Sequence, residues 1–220
     1  MCFTPAVSFL TFAIEWVMAG WVLSRDHKNK VNQLSAVILI FLGLYQFTEF
    51  MMCSAGNEFF WGKMGFLAYT ALPALGFHWV FALKKSKRTI WPVYLIPGAF
   101  IVYAIWASKF IESAECGRFF VKTLHNWVLI GEIPYFIYYT LFIVWSGIIL
   151  INWILKEKNH DRRNLYLLGL IGMLLFTFPT FLVLLVFPMF HLMFPSVLCH
   201  FAILYALAIT KVVQLNKKIR

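Results

Sequence analysis

Seven apolar runs set the pattern of this chain, at about 5–24, 34–54, 64–83, 92–108, 133–155, 165–187 and 194–213. Most approach the roughly 20 residues that a helix needs to cross a hydrocarbon core about 30 Å thick. Short polar segments separate them, apart from one long connection between the fourth and fifth runs. The pattern predicts an all-α bundle of seven transmembrane helices, with residues 1–220 forming a single membrane domain and no room for a soluble one. No internal repeat or low-complexity tract interrupts it. The first run lacks a basic leader and a small-residue cleavage site, so it is expected to be a retained span rather than a signal peptide.

Composition strengthens this reading. Hydrophobic residues make up 62% of the chain and charged residues only 13%, against roughly 45–50% and about 25% in soluble domains. A chain of 220 residues has too little interior to bury that much apolar surface. The excess must face lipid, so the bilayer is the expected partner and the cell (plasma or inner) membrane the expected location.

Charge then orients the spans. Arg25, Lys28 and Lys30 follow the first run, and Lys84, Lys85, Lys87 and Arg88 follow the third. Lys156, Lys158, Arg162 and Arg163 follow the fifth, and Lys211, Lys217, Lys218 and Arg220 close the chain. The other side carries Lys63, Lys109, Arg118 and Lys122. The positive-inside rule predicts an outside N-terminus and a cytoplasmic C-terminus. The basic clusters are thus topology signals lying against anionic lipid, and no nucleic-acid partner is expected. Trp61, Trp91, Trp127, Tyr135, Tyr138 and Tyr139 fall near predicted interfaces, as an aromatic belt would, although some of them could line a pocket.

Few polar side chains enter the runs. Glu15 sits near the predicted midplane of span 1, and Gln46 and Glu49 lie in the outer part of span 2. His78 lies toward the inner end of span 3, and His200 in the outer part of span 7. A charge at the bilayer centre costs about 2.5–3.5 kcal/mol on insertion scales, so such residues usually have a partner and a function. All four cysteines fall on the outer side: Cys2, Cys53, Cys116 and Cys199. Thiols on an outer face suit disulfides or a metal site. Cys53–Cys116 is the favoured disulfide, because it would tie the long connection to span 2. The other pairings stay open, and Cys199 reads equally well as a small buried residue.

The opening, "MCFTPAVS", adds a further candidate. Thr4-Pro5 is a good helix start. Cys2 would sit beside a helix N-terminus, where the dipole favours thiolate. If Met1 is trimmed, its free amine and thiolate would together chelate a soft metal or act as a nucleophile. The opening resembles a group of uncharacterised bacterial and archaeal membrane proteins that begin Met-Cys-Phe/Trp-Ser-x-x-x-Ser and carry Gln-x-x-Glu on the second span. Cys2, Phe3 and Ser8 match, Thr4 replaces the usual Ser, and Gln46 and Glu49 in "YQFTEF" supply the second motif. The resemblance implies that Cys2, Ser8, Gln46 and Glu49 belong together, and it implies no reaction.

Other seven-span families fit poorly. Span 7 has no interior lysine for a retinal Schiff base and no Asn-Pro-x-x-Tyr. Span 3 lacks the Asp/Glu-Arg-Tyr of G-protein-coupled receptors. Asp26 and Asp161 lie in loops, and His191 and His200 are nine residues apart, which does not suit seven-span zinc hydrolases. Three functions remain. The first is an outer-half site built from Cys2, Glu49, His200 and Cys53 or Cys199, holding zinc or copper or doing thiol chemistry, with Ser8, Glu15, Gln46 and His78 in support. The second is a small-molecule transporter or receptor using Glu15, Gln46, Glu49 and His78, with Pro73, Pro179 and Gly172 bending helices around a cavity. The third is an accessory subunit whose polar residues only join helices. The amphipathic "GRFFVKTLHNWV" of the long connection is expected to lie on the outer interface as a lid over the site.

Overall fold

The computed structural model describes residues 4–84, 90–116, 121–127, 132–186, 196–197 and 201–219. Helices dominate: α1 (Thr4–Arg25), α2 (Lys30–Ser54), α3 (Glu58–Leu83), α4 (Leu95–Trp106), α5 (Glu132–Lys156), α6 (His160–Val186) and α7 (Ala202–Ile219). A 3-10 turn, Trp91–Tyr94, leads into α4. Two antiparallel strands, β1 (Ile111–Cys116) and β2 (Val121–His125), form a hairpin in the long connection.

Local chemistry explains the ends. Thr4-Pro5 opens α1 at a place where proline's missing N–H is not needed. The Asn29 side chain accepts from the Val31 N–H to cap α2, and Asn57 accepts from the Phe60 N–H to cap α3. Gly56, at φ 72°, makes the tight turn between those helices in a conformation glycine adopts without strain.

Helices α1, α2, α3, α5 and α6 are each long and apolar enough to cross a membrane. Their outward faces fit that environment: α5 alone exposes Ile133, Phe136, Ile137, Leu141, Val144, Trp145 and Ile148. A continuous apolar surface of this kind would be a liability in water. The chain is a helical, membrane-associated protein. Two predicted runs come out differently. The fourth forms a shorter apolar helix, Trp91–Trp106, only about 25 Å long, because Pro92 starts it as a 3-10 turn and the hairpin follows soon after. In the seventh, α7 begins at Ala202 and continues to Ile219, so Lys211 stands exposed inside the helix rather than at its edge. Residues 194–195 and 198–200 of that run lie outside the described residues.

The long helices alternate in direction. Phe9 meets Phe50 and Phe12 meets Phe47 along α1 and α2. The Lys84 ammonium sits 4.9 Å from the Trp153 ring centroid, which levels the ends of α3 and α5. Phe176 stacks on Tyr205, which runs α7 back along α6. The described members of the four basic clusters therefore gather toward one end of the bundle, apart from Lys211, which stands further along α7. The hairpin caps the other end.

That hairpin corrects two expectations. Within the amphipathic stretch, Val121–His125 form a strand with a two-residue period over "VKTLH", in which Val121 and Thr123 turn inward, and residues 117–120 and 128 lie outside the described residues. It rests mainly on α3. Four contacts hold the hairpin region: the Cys53–Cys116 disulfide, Lys63 Nζ donating to the Ala107 carbonyl at 2.7 Å, the Val121 N–H donating to Ser196 Oγ at 3.1 Å, and Tyr103 donating to the Asn126 carbonyl at 3.1 Å. Beneath it, Phe66 meets Phe110, His125, Trp127 and Tyr135, with ring centroids 4.6–5.7 Å apart. Tyr135, Tyr138 and Tyr139, expected in an interfacial belt, are buried instead. Inward partners account for two of them: Tyr138 donates to the Thr70 carbonyl at 2.7 Å, and the Tyr135 hydroxyl lies 3.0 Å from Thr70 Oγ1. Trp91 does lie at the periphery, 62% exposed.

Candidate functional site

The α1–α2 pair carries the most unusual chemistry in the bundle. Ser8 lies one turn into α1, and Glu49 one turn before the end of α2. The antiparallel packing that pairs Phe9 with Phe50 brings these two to the same level. Ser8 Oγ donates to Glu49 Oε2 across 3.3 Å, with both residues buried. Gln46, one turn inward from Glu49 on the same helix face, is also buried and has a partner. Glu15 lies seven residues after Ser8, two turns deeper on the same stripe of α1 and about 10 Å further in. It is 0% exposed, and neither carboxylate oxygen has a hydrogen-bond partner among the described residues. Glu49, Gln46 and Glu15 thus descend in steps between α1 and α2, from the hairpin end toward the middle.

Two of the remaining candidates, Cys53 and His78, stand apart from this stripe. Cys53 is joined to Cys116 and has no free thiol, so it is removed from the metal-ligand set. His78 turns away from α1, and its Nδ1 lies 2.7 Å from the Tyr94 hydroxyl. Cys2, Cys199 and His200 lie outside the described residues. Among the described residues no group of three or more His, Cys, Asp or Glu side chains is placed to hold a metal ion. The described residues thus offer one carboxylate and a serine, fewer ligands than zinc takes: four in a structural site and three from the protein in a catalytic one.

Toward the centre, α2, α3, α5, α6 and α7 enclose a cavity of about 50 Å³. Its wall is mostly apolar, with Leu42, Pro73, Trp79 and Phe176, and carries the hydroxyls of Tyr139, Ser146, Thr177 and Tyr205. Ser146 and Thr177 donate to carbonyls one turn back in their own helices, and Trp79 donates to Ser35 at 2.8 Å. Pro73, inside α3, lies on this wall. Gly172 serves packing instead. A Cβ there would overlap that of Ala208, so the glycine sets how closely α6 approaches α7.

Sequence reasoning passed over His125, which the two-residue alternation of "VKTLH" could have flagged. Its Nε2 lies 3.3 Å from the Tyr69 hydroxyl, and Phe66, Phe110 and Trp127 surround the ring. Burial among those rings pushes its pKa down from 6.5 to about 4.

Comparison with known proteins finds no matching family model, no matching curated protein and no matching solved structure. The resemblance carried by the opening and by Gln-x-x-Glu therefore rests on those short motifs alone.

Proposed function

We propose that this chain is a seven-span membrane protein, with its N-terminus outside and its C-terminus in the cytoplasm, that moves a small molecule across the bilayer using the polar residues between α1 and α2. The observation that carries the reading is Glu15: a fully buried carboxyl halfway along a membrane-length helix, with no hydrogen-bond partner among the described residues. Holding such a group has a cost in stability, and a purely structural helix joint would not need it. Ser8, Gln46 and Glu49 extend the stripe toward the hairpin end, and the central cavity gives the neighbouring helices room to rearrange. Uptake of a panel of small amines, amino acids and organic acids into proteoliposomes tests it, with Glu15→Gln and Glu49→Gln as comparisons. At least a tenfold loss of uptake of some member in either variant is expected. Uptake that ignores both changes, or no uptake of any member, counts against transport.

One observation favours a second reading. The Ser8–Glu49 bond fixes a carboxylate against a serine only six residues along the chain from Cys2. A thiol–carboxylate site at the outer mouth, holding zinc or copper or doing thiol chemistry with Cys199 and His200, follows if the N-terminus folds back. Metal content of purified wild type against Cys2→Ala decides its metal form, which needs about one equivalent in the first and a loss in the second.

A further inference from the structure

Glu15 calls for a specific ligand. Three kinds of positive partner satisfy a buried carboxylate: a basic side chain, a metal or organic cation, or a proton. The described part of the chain supplies no basic side chain to Glu15, since neither oxygen has a partner and no Lys or Arg occurs on α1 before Arg25. A hard metal cation takes about six oxygens. Glu15 brings two, and no cluster of three acidic, His or Cys groups includes it among the described residues. An organic cation needs volume, and the central cavity does not have Glu15 on its wall. A proton needs neither extra ligands nor space.

Among the described residues, the titratable groups on the helices packed against α1 have their own places. On α2 they are Glu49, about 10 Å outward, Tyr45, which packs against Tyr69 of α3, and Lys30 at the far end. On α7, Tyr205 stacks on Phe176 of α6, and Lys211 is exposed. Gln46 stands between the levels of Glu49 and Glu15, buried and uncharged, where it can pass hydrogen bonds along the stripe.

We propose that Glu15 is a proton-binding site of the bundle, taking up and releasing one proton at the middle of the membrane. Binding forms an O–H bond on one carboxyl oxygen with a proton drawn from water at the hairpin end, and release returns it to water as the helices rearrange. No other reactant takes part. That this proton is the coupling ion rests on the transport reading above; that the site exists does not.

Dicyclohexylcarbodiimide, an apolar reagent that adds to protonated carboxylic acids, tests the site on the full-length protein in proteoliposomes, with the modified residue located by mass spectrometry. Modification is expected at residue 15, decreasing as pH rises and lost in Glu15→Gln. The infrared carbonyl band of a protonated carboxylic acid, read on the same samples, is expected to weaken in Glu15→Gln. If that variant fails to fold, wild type alone still reports through the pH dependence of its label. Modification confined to other carboxyls at every pH overturns the proposal, as does a label at Glu15 that ignores pH. Labelled Glu15 together with uptake that ignores Glu15→Gln would leave the proton site standing and remove transport.

Discussion

Two small residues sit where helices meet: Ser8 joins α1 to α2, and Gly172 admits α7 against α6. Ser8 reaches Glu49 through a long hydrogen bond, 3.3 Å, and interhelical bonds of this kind are worth only about 0.6 kcal/mol on average in membranes. Ser8→Ala should therefore lower thermal stability in detergent only slightly, by less than about 1 kcal/mol, and a larger loss would mean that Ser8 organises more than one contact. Gly172 is different in kind. Its missing Cβ is what lets Ala208 approach, so Gly172→Ala should cost about 1–3 kcal/mol through overpacking. Gly147→Ala meets only the flexible end of Met173, at 3.1 Å, and should be nearly neutral. Adding Ala208→Gly to Gly172→Ala removes the overlapping atom and should restore most of the midpoint. A double variant no better than the single one would show that α6 and α7 do not meet in this register. Neither effect could be read from the chain, because a glycine in an apolar run says nothing about which neighbour it faces. Glu15, Gln46 and Glu49 were legible, because a polar residue inside a twenty-residue apolar run is conspicuous whatever surrounds it.

At the scale of elements, the hairpin β1–β2 was the least legible part of the chain. Its residues are apolar enough to resemble a surface helix, and what makes them strands is tertiary: the floor of Phe66, Trp127 and Tyr135 rewards a two-residue period. The Cys53–Cys116 link was legible as the favoured pairing, because the positive-inside rule predicts one side for both cysteines and the bond ties the long connection to span 2. His125 gives the hairpin a pH dependence. In the docked hairpin its pKa is about 4, whereas free in water it would be near 6.5. Above pH 6.5 the ring is neutral in both states and docking is fully stable. As pH falls from about 6.5 to about 4, the undocked state gains a proton that the docked state refuses, and docking weakens by on the order of 2 kcal/mol. The protection factors of residues 111–116 and 121–125, which correct for the intrinsic slowing of amide exchange in acid, should fall across that window. His125→Phe, which keeps the ring without the proton, should remove that fall, and an unchanged pH profile of protection in that variant would place the sensitivity elsewhere. Reduction of the disulfide should add to the effect, since it releases the covalent tie at Cys116 while leaving the aromatic contacts in place.

The whole molecule has two unlike ends, and each bears on the proposed sidedness. One end gathers Arg25, Lys28, Lys30, Lys84, Lys156, Lys158, Arg162, Arg163, Lys217 and Lys218, drawn from helices that alternate in direction. That clustering is a product of folding and agrees with counting basic residues loop by loop. The other end carries a disulfide, which persists in oxidising surroundings and is rare in the cytoplasm. Retention of basic loops inside and persistence of a disulfide outside would both favour the orientation proposed above, with the hairpin end outside. The short α4 does not disturb this alternation: Tyr94 begins its turn beside His78 near the basic end, and Ala107 finishes it beside Lys63 at the hairpin end. Cysteine accessibility in intact cells tests the orientation directly. With Cys2 and Cys199 replaced by alanine and the native disulfide left in place, Lys109→Cys beside the hairpin and Asn159→Cys between α5 and α6 each add one exposed thiol at opposite ends. A membrane-impermeant maleimide should label Lys109→Cys at once and Asn159→Cys only after the cells are broken. Labelling in the reverse order would invert the orientation and turn the mouth of the polar stripe, with Ser8 and Glu49, toward the cytoplasm. Equal labelling of both in intact cells would mean that the two ends share one side and that the long helices do not span the membrane.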